Sequence, residues 1–445
     1  MKQILWFRRD LRITDSAILS FAKKDVLPIF IFDKDILKHL LPDDKRVTFI
    51  YKSVISLKQE LKSIGLDLAI FHGKPIEIFS KLKNLGFDEV LCSCDFDYYS
   101  KKRDNEIEKI IPLKKYCDSF ILNPWETLKK DETPYKVFTP FYKSLAFIHQ
   151  SDKIELYKRN SSVKIYENFD YEYIPTLEDI GFKEQKLPKF LTKSANSLIT
   201  EFVDKIDKYE EDRDYFFIDA TSNLSVHLRF GLVSPREVFN KIKKLTSNCE
   251  FFIRELFWRE FYNTLLYHFP KSQFENFNGL EIQWNKSEED FQKWCEGRTG
   301  IPIIDAAMRH LNETGRMHNR LRMVVSSFLT KNLLIDWKKG ERYFALKLLD
   351  YEASSNIGSW QWAASTGADS VPYFRVFNPY TQSQKFDKEG LFIKTVLKEL
   401  KDVDNRLLHK ENGVFKDLFV DYVQPMVSIK ESRQKAIDTF KRAKK

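Results

Sequence analysis

Three of the eight tryptophans lie in two short segments near the C-terminus, beside small polar residues. The first segment is Trp337 to Phe344, and the second, Asn356 to Gly367, contains Trp360 and Trp362. A buried core seldom places an indole beside glycine, asparagine and serine, because the indole N–H then needs a hydrogen-bond partner. Indoles in such a setting can carry electrons or stack on a flat ring such as a nucleobase. For any single tryptophan, core packing beside a tight turn is the alternative.

A run of mixed chemistry over 252–262 predicts a helix with a functional face. A carboxylate, an indole, a guanidinium and a phenol share one side of that helix, at i, i+3, i+4 and i+7: Glu255, Trp258, Arg259 and Tyr262. The face is either solvated, with an i,i+4 ion pair, or the wall of a cavity. In a cavity, Glu255 would supply a hydrogen bond or a proton, Trp258 would stack on a base, and Arg259 would meet a phosphate.

A second polar run places an amide and a thioether at the start of a predicted helix. Asn319 and Met323 are i,i+4 neighbours, and they suit a ring edge and a flat group, respectively. Arg320 and Arg322 point elsewhere, one toward a phosphate and one toward a carboxylate. Alternatively, Arg322 forms a structural ion pair with Asp350, and Met323 fills a core.

Two further segments have the donors and acceptors that a nucleotide needs. Hydroxyls and backbone N–H groups are dense over Thr221, Ser222, Asn223, Leu224 and Ser225. This segment would cradle a phosphate at a helix start, although simple helix capping is the commoner role. The carboxylates of Asp350-Tyr351-Glu352 would hold a ribose or accept from a ring N–H, or would end a solvated helix.

The first third of the chain alternates apolar runs with amphipathic stretches. The apolar runs predict buried strands: Ile4 to Phe7, Val26 to Phe32, Leu66 to Phe71 and Glu89 to Cys92. Helices are predicted between them: Thr48 to Ile64, Ile76 to Leu85 and Lys102 to Ile111. This alternation predicts an α/β domain with a doubly wound parallel sheet. The first strand is not followed by G-x-G-x-x-G, so a dinucleotide site of the usual kind is not expected there.

Beyond this domain the character of the sequence changes twice. Prolines punctuate an irregular stretch from about residue 124 to residue 188, which predicts a long connection. Later segments have helical periodicity: 198–209, 235–245, 250–269, 303–314, 319–334 and 342–348. The basic end over 428–445 is either a helix or a frayed terminus. We therefore predict an α/β domain over 1–125, a linker over 126–190 and an all-α domain over 191–445.

The bulk properties are those of a globular protein with a basic surface. The 445 residues carry a formal net charge of +9. That charge suits a polyanionic partner, although a lysine-rich composition gives the same figure. The five cysteines lack C-x-x-C spacing and predict reduced thiols in a reducing, cytoplasmic compartment. His318 has no second ligand at i+4, so we expect no metal site. We expect neither a signal peptide nor a membrane segment.

Taken together, the motifs resemble the DNA photolyase/cryptochrome family nearly end to end. The segments that carry the resemblance are Leu5 to Arg12, Thr221 to Arg236, Trp258 to Tyr262, Gly297 to Leu334 and Trp337 to Gln382. Within the family, the chain is most similar to the class I cyclobutane pyrimidine dimer photolyases. The resemblance implies an α/β domain, a linker and an all-α domain that binds FAD and DNA. It also implies light-driven repair of UV-damaged DNA. Oligomeric state is open in the sequence, and we expect by default a monomer without an obligate protein partner.

The resemblance implies roles for individual residues. FAD binding is implied for Tyr209, Thr221, Ser222, Asn223, Leu224, Ser225, Phe252, Arg322, Asp350, Tyr351, Glu352 and Asn356, with Asn356 at the flavin N5. Electron transfer from the surface to the flavin is implied for Trp284, Trp337 and Trp360. A lesion pocket is implied for Glu255, Asn319, Met323, Trp258 and Trp362. DNA contacts are implied for Arg213, Arg259, Tyr262, Arg320 and Gln382.

Several positions depart from the family pattern. Phe252 stands where a tryptophan is common, Glu352 replaces an aspartate, and Asn223 replaces a basic residue. Tyr99-Ser100 stands where folate-binding members have Asn-Glu, so the folate site is not carried over. A second, light-harvesting chromophore is expected, with a deazaflavin, a flavin or a folate held in an atypical way as alternatives, and an empty site as a further one. Candidate contacts for it are 43–49 and 95–104.

Two other activities within the family are alternatives. A cryptochrome, which signals and does not repair, usually has a long C-terminal extension and an altered lesion pocket. A (6-4) photolyase uses histidines at the lesion, and here no histidine lies between His318 and His409. The sequence therefore favours repair of cyclobutane dimers.

Overall fold

The structure is a computed structural model that describes residues 2–23, 25–417 and 420–443. Its strands form one parallel sheet: β1 (Lys2–Phe7), β2 (Asp25–Asp33), β3 (Ala69–Gly73), β4 (Glu89–Ser93), β5 (Leu113–Tyr116) and β6 (Lys164–Ile165). The strand order is β3-β2-β1-β4-β5, and β6 pairs with the start of β2. The predicted doubly wound parallel sheet is confirmed, and the strand order reverses between β1 and β4.

Helices alternate with the strands in the first part of the chain and follow one another after β6. In the first half they are α1 (Ala17–Phe21), α2 (Lys34–Leu37), α3 (Lys45–Ser63), α4 (Pro75–Asn84), α5 (Tyr98–Glu108), α6 (Phe138–Ser144), α7 (Ala146–His149), α8 (Ala195–Val203), α9 (Tyr209–Asp212), α10 (Ser225–Phe230), α11 (Pro235–Leu245) and α12 (Glu250–His268). In the second half they are α13 (Glu288–Glu296), α14 (Pro302–Thr314), α15 (Asn319–Ser327), α16 (Trp337–Lys347), α17 (Ala353–Ala364), α18 (Pro379–Phe386), α19 (Leu391–Val396), α20 (Asn405–Leu408) and α21 (Ile429–Ala443). The predicted all-α character of the C-terminal region is confirmed.

Some strand positions differ from the prediction for local reasons. β3 begins at Ala69, three residues after the predicted start at Leu66. Leu66 N–H donates to Leu61 O at 2.9 Å and Gly65 has a φ of 78°, so Leu66 closes the end of α3. The sequence does not predict β5, because Lys114 and Lys115 are exposed there and break the apolar run.

Alternate residues of β1 feed two cores, one on each face of the sheet. Leu5 and Phe7 pack on the face covered by α1 and α3. Ile4 and Trp6 pack on the opposite face, where the Trp6 ring centroid lies 4.9 Å from that of Phe79 in α4. Both faces of the strand are buried, which is why the strand reads as a continuous apolar run.

By spatial proximity, the chain divides into two compact units. The first comprises Met1–Pro134, Pro140–Asp204 and Ser222–Tyr267, and the second comprises Tyr135–Thr139, Lys205–Thr221 and His268–Lys445. Helices α10 to α12 therefore group with the sheet. The predicted boundaries, 1–125, 126–190 and 191–445, follow motif and linker character rather than proximity, and they stay a prediction.

The second unit is organised around α14, which is buried along most of its length. Asp305 in its first turn accepts hydrogen bonds from the backbone N–H groups of Thr299, at 2.7 Å, and Gly300, at 3.0 Å. The hydroxyl of Tyr422 donates to the same carboxylate at 2.7 Å. These bonds satisfy a carboxylate that lies deep in the core.

The prediction of one helix from Asn319 to Leu334 is wrong in its second part. α15 ends at Ser327, and a π-helical turn follows over Phe328–Asn332. Such turns insert an extra residue into a helix and often lie at functional positions. The next helix, α16, begins at Trp337, five residues before the predicted start, because Asp336 caps it by accepting from Lys338 N–H at 3.0 Å.

Helices α16 and α17 pack closely because of a glycine. A Cβ atom at Gly340 would lie 2.1 Å from a ring carbon of Trp360, so only glycine fits opposite this indole. The position of Trp360 thus depends on a residue 20 positions earlier in the chain. None of the helices in the described ranges has both the length and the apolarity that a bilayer crossing needs.

Candidate flavin and DNA site

In the first unit, the predicted functional face lies on α12. Glu255 and Trp258 are half-buried, so part of each side chain faces solvent. The Trp258 ring centroid lies 5.6 Å from that of Tyr262 and 5.8 Å from that of Phe261. The aromatic neighbours hold the indole in place, which leaves a surface of indole, phenol and carboxylate.

Arg259, from the same predicted face, has partners inside the first unit. Its Nη1 donates to Ser119 O at 2.6 Å, and its guanidinium lies 4.2 Å from the Phe120 ring centroid. Burial, together with the nearby positive charge of Arg9, lowers the pKa of Arg259 to about 9. The predicted contact of Arg259 with DNA stays a prediction. The contacts observed here tie α12 to the segment after β5.

The next residue on α12, Glu260, strengthens the same connection. Its Oε2 accepts from Leu122 N–H at 3.1 Å, and the side chain is buried. Burial raises the pKa of Glu260 to about 7. Arg259 and Glu260 together position the helix that carries Glu255 and Trp258, a role that the motif alone did not indicate.

In the second unit, Asn356 on α17 has a fixed orientation. Its Nδ2 donates to Glu341 O at 3.2 Å and to Glu341 Oε1 at 3.0 Å. Tyr351 OH donates to the same Oε1 at 3.2 Å. Burial raises the pKa of Glu341. Because Nδ2 is bound to Glu341, the amide oxygen of Asn356 points away from it and can accept from another group.

Sequence reasoning gave Glu341 no role. It lies four residues after Trp337 in the first tryptophan segment, and only the packing of α16 on α17 brings it to Asn356. The mixed polar character of that segment was the available signal.

The arginines at the start of α15 are both paired. Arg322 Nη2 donates to Asp350 at 3.0 Å and 2.8 Å, one distance to each carboxylate oxygen, so the structural ion pair considered above is present. Arg320 pairs with Asp214, and its guanidinium lies 4.7 Å from the Phe386 ring centroid. The charge-assisted pairing restrains the positions of both side chains.

The amide and thioether of α15 are in contact. Asn319 Nδ2 donates to Met323 Sδ at 4.0 Å, as expected of i,i+4 neighbours. His318 caps the helix, since its Nδ1 accepts from Arg320 N–H at 3.1 Å. That bond agrees with a structural role for this histidine, and the described residues contain no cluster of metal ligands.

The hydroxyl-rich segment precedes α10. Asn223 has a φ of 55°, and the N-cap residue Leu224 makes no side-chain capping bond. Ser222 Oγ accepts from Leu224 N–H at 3.4 Å, whereas Ser225 is exposed and Thr221 is half-buried. A helix start without a side-chain cap and with accessible hydroxyls suits an anionic ligand such as a diphosphate.

The other expected flavin residues are mostly buried. Tyr209 and Phe252 are buried, and the Phe252 ring centroid lies 4.7 Å from that of Phe202. Glu352 is 7% exposed, and the hydroxyl of Ser354, two residues further along, is buried without a hydrogen-bond partner. An unsatisfied buried hydroxyl beside a carboxylate and an ordered amide is the donor and acceptor set that a flavin nucleotide uses. The residues present therefore fit FAD.

The predicted electron-transfer tryptophans differ in burial. Trp360 and Trp337 are 2% and 0% exposed, and Trp284 is half-buried. Trp337 Nε1 donates to Asn276 Oδ1 at 2.8 Å, the partner that a buried indole requires. The series from two buried indoles to a partly exposed one is consistent with a path toward solvent.

The sequence did not predict two aromatic neighbours of Trp360. The Phe344 ring centroid lies 5.0 Å from that of Trp360, and the Trp294 centroid lies 6.0 Å from it. Trp294 is fully buried and donates from Nε1 to Val325 O at 3.2 Å. Trp294 lies in an ordinary amphipathic helix, so the sequence held no signal for it.

Residues predicted to touch DNA or the lesion also have defined surroundings. Trp362 is half-buried at the end of α17. The guanidinium of Arg213 lies 5.2 Å from the ring centroid of Tyr209. Gln382 on α18 is half-buried, and its Oε1 is buried without a hydrogen-bond partner. Their roles at DNA stay predictions.

A charged cluster in the first unit lies where β1 and β4 end, and it includes Arg103 and Asp104 from the segment 95–104 predicted to contact a second chromophore. Arg8 Nη1 donates to Asp104 Oδ1 at 2.7 Å. The guanidiniums of Arg8 and Arg103 each lie 4.7 Å from the ring centroid of Trp6. Open α/β sheets bind ligands at the carboxyl ends of their strands, where the strand order reverses.

Further polar contacts surround this cluster. Tyr99 OH donates to Asp33 Oδ2 at 2.6 Å, and Arg9 Nη1 lies 3.0 Å from Asp95 Oδ1. Burial alone would raise the pKa of Asp95, but Arg9 and the other nearby arginines lower it to about 2. Where folate-binding members have the amide of an asparagine, this chain therefore has the hydroxyl of Tyr99, which already donates to Asp33.

Comparisons with known proteins identify the family of the chain. A family described as DNA photolyase matches residues 3–158, and one described as the FAD binding domain of DNA photolyase matches residues 252–442. A deoxyribodipyrimidine photo-lyase of Alkalihalophilus pseudofirmus is 34% identical, and the match covers 98% of this chain and 97% of that protein.

Solved structures show the same fold. An archaeal photolyase from Sulfolobus tokodaii, whose structure contains two FAD molecules, is 33% identical with a TM-score of 0.84, over 99% of this chain and 100% of that one. A cryptochrome from Synechocystis has a TM-score of 0.88 over 99% of each chain, but at 24% identity it shows the fold alone. The sheet and helical regions thus define a flavoprotein of the photolyase and cryptochrome type. The chain belongs to the DNA photolyase family, and residues 252–442 are its FAD-binding domain.

Proposed function

We propose that this protein repairs cyclobutane pyrimidine dimers in DNA with light, using FAD. The observation that carries the proposal is the arrangement of Asn356 and Trp360 on α17. An amide held by Glu341 and a buried indole lie one helical turn apart on one helix. A flavin ring bound against this part of α17 would have a hydrogen-bond acceptor and an electron donor from the same helix. The name of the Alkalihalophilus pseudofirmus relative supports the dimer as the substrate.

When bound, FAD would supply light absorption and a reversible one-electron transfer. The protein would position the cofactor. Hydroxyls and backbone N–H groups over 221–225 would bind its phosphates, and the carboxylates of Asp350 and Glu352 would accept from its sugar and ring donors. The amide oxygen of Asn356 would accept a hydrogen bond at the flavin N5.

The lesion is held by stacking and hydrogen bonding. Photolyases are among the enzymes that flip their target out of the duplex. Trp258 and Trp362 stack on the damaged bases, each contact contributing about 1–3 kcal/mol. Glu255 hydrogen-bonds the dimer and stabilises the charge that develops on it. Asn319 and Met323 complete the contacts with an amide and a thioether.

Basic and polar side chains bind the DNA backbone. Arg213, Arg320, Tyr262 and Gln382 contact phosphates, so affinity falls as salt concentration rises. Arg259 acts chiefly by positioning α12, given its bond to Ser119 O.

A second chromophore binds the first unit near the Trp6 and Arg103 cluster. The Sulfolobus tokodaii photolyase, described with two FAD molecules and a novel light-harvesting cofactor, favours a flavin over folate for this role. The protein acts as a monomer in a reducing cytoplasm. The five cysteines, all free and buried, support that compartment.

The test is illumination of the purified, reduced protein with dimer-containing DNA. We expect intact pyrimidines to return in the light and not in the dark, and the protein to carry bound flavin. Flavin binding without any repair would refute the proposal and leave the photoreceptor alternative. Repair of (6-4) lesions in place of dimers would contradict the substrate assignment.

A further inference from the structure

One lysine lies where charged side chains are rarely found. Lys331, in the π-helical turn over Phe328–Asn332, is 0% exposed. Its Nζ donates to Ser365 Oγ at 2.7 Å and lies 3.7 Å from the ring centroid of Phe440. Within the part of the chain that the structure describes, no carboxylate pairs with it. A buried ammonium is normally paired with an acid, so this arrangement needs an explanation.

The ring beneath the ammonium also contacts the outermost predicted electron carrier. Phe440 lies edge-to-face with Trp284, with ring centroids 6.1 Å apart. The Lys331 ammonium is therefore within about 10 Å of the Trp284 indole, with one benzene ring next to both. Leu334 and Ala436 are buried around the same ring. In such an apolar setting, water screens the charge weakly.

Other charges near the π-helical turn are exposed or paired. The π-helical turn packs against α15, α16, α17 and α21. α17 has no charged residue. On α15, Arg320 and Arg322 pair with Asp214 and Asp350. On α16, Lys338 and Lys339 form ion pairs, Glu341 accepts hydrogen bonds, Lys347 lies over an aromatic ring and Arg342 is exposed. The charged residues of α21 are all exposed: Lys430, Glu431, Arg433, Lys435, Asp438, Lys441 and Arg442.

We propose that Lys331 controls how favourably Trp284 holds the positive charge left when it gives up an electron. The proposal rests on the electron-transfer role assigned to Trp284 above. One electron leaves the Trp284 indole toward Trp337, then toward Trp360 and the flavin. The charge on Trp284 is removed when an external thiol supplies one electron, releases its proton to solvent and becomes a thiyl radical. A cation over Phe440 opposes that charge, and a neutral amine does not.

The size of the effect follows from the distance. Two unit charges about 10 Å apart, at the effective dielectric constant of a protein, shift an equilibrium roughly tenfold. Burial lowers the pKa of Lys331 to about 7. The ammonium is therefore present below neutral pH and lost above it. Lys331 thus makes the charge on Trp284 less favourable in acid than in base.

The experiment compares the flavin-loaded wild type with K331M by flash photolysis. The variant keeps the length of the side chain without its charge. We expect the tryptophan radical to live roughly ten times longer in K331M at pH 6 and about equally long at pH 9. Repair by the pre-reduced variant should match the wild type. K435M, which removes an exposed lysine from α21, is the matched control and should behave as wild type at both values.

The proposal would be overturned if the tryptophan radical lived equally long in K331M and wild type at pH 6. It would also be overturned if the ratio of the two lifetimes were the same at pH 6 and pH 9. A wild type that forms no tryptophan radical would overturn both this proposal and the electron chain. A second readout does not depend on electron transfer. In NMR of lysine ε-carbons, the signal absent from K331M should titrate near pH 7, and titration near 10 would contradict the proposal. If K331M does not fold, K331Q provides the same comparison.

Discussion

Replacing Glu341 with alanine tests the orientation of Asn356. The substitution removes the side-chain acceptor that receives Asn356 Nδ2 at 3.0 Å and Tyr351 OH at 3.2 Å. Only the first of these bonds holds the amide, and the bond from Asn356 Nδ2 to the backbone oxygen of Glu341, at 3.2 Å, remains. The amide therefore loses about 1 kcal/mol of restraint. That amount corresponds to roughly a fivefold change in an equilibrium constant.

The effect should appear at the flavin rather than in the fold. An amide held by one bond in place of two presents its oxygen to N5 less often, so E341A should hold the reduced flavin less well. We expect the ratio of reduced to oxidised flavin, measured in a redox titration, to fall by up to roughly fivefold. E341Q, which keeps an oxygen acceptor, is the matched control and should fall much less. If E341A gave the same titration as wild type, with flavin fully bound, the inferred role of Asn356 would be wrong.

Three further predictions use the same protein. W360F should slow photoreduction of the oxidised flavin by at least about tenfold, which corresponds to about 1.4 kcal/mol of activation free energy. Repair by the pre-reduced enzyme should change little. Photoreduction at the wild-type rate would show that Trp360 is not on the electron path. E255A should lower repair yield more than flavin affinity, measured as product per photon and by flavin retention, and the opposite order would make Glu255 structural. Burial raises the pKa of Glu260 to about 7. The contribution of Glu260 to the free energy of unfolding is therefore complete below the unfolded-state pKa near 4.5. As pH rises from there through 7, the free energy of unfolding falls by about 3 kcal/mol. E260Q should remove that loss in urea denaturation at pH 5 and pH 8, and an unchanged pH dependence would disprove the assignment.

Much of the fold follows from local pattern. The strand β1 could be predicted because each of its apolar side chains is buried on one face or the other. Helix α12 could be predicted because its residues repeat with helical spacing, and the same spacing placed Glu255 and Trp258 on one face. Where a local signal was weak, prediction failed, as in β5 with its exposed lysines and in the π-helical turn after Ser327. A π-helical turn depends on how neighbouring helices pack, which no short segment encodes.

The site shows the same division. The sequence by itself determined which residue types were available: the hydroxyls of 221–225, the carboxylates of 350–352 and the tryptophans near the C-terminus. Tertiary structure alone decided that Arg259 bonds to Ser119 O, 140 positions earlier, and that Lys331 lies over Phe440 beside Trp284. Spacing along a helix or strand fixes which side chains share a face, but only packing between distant segments decides what that face meets. The charge of a buried group depends on its neighbours, so these properties appear only when the chain is folded.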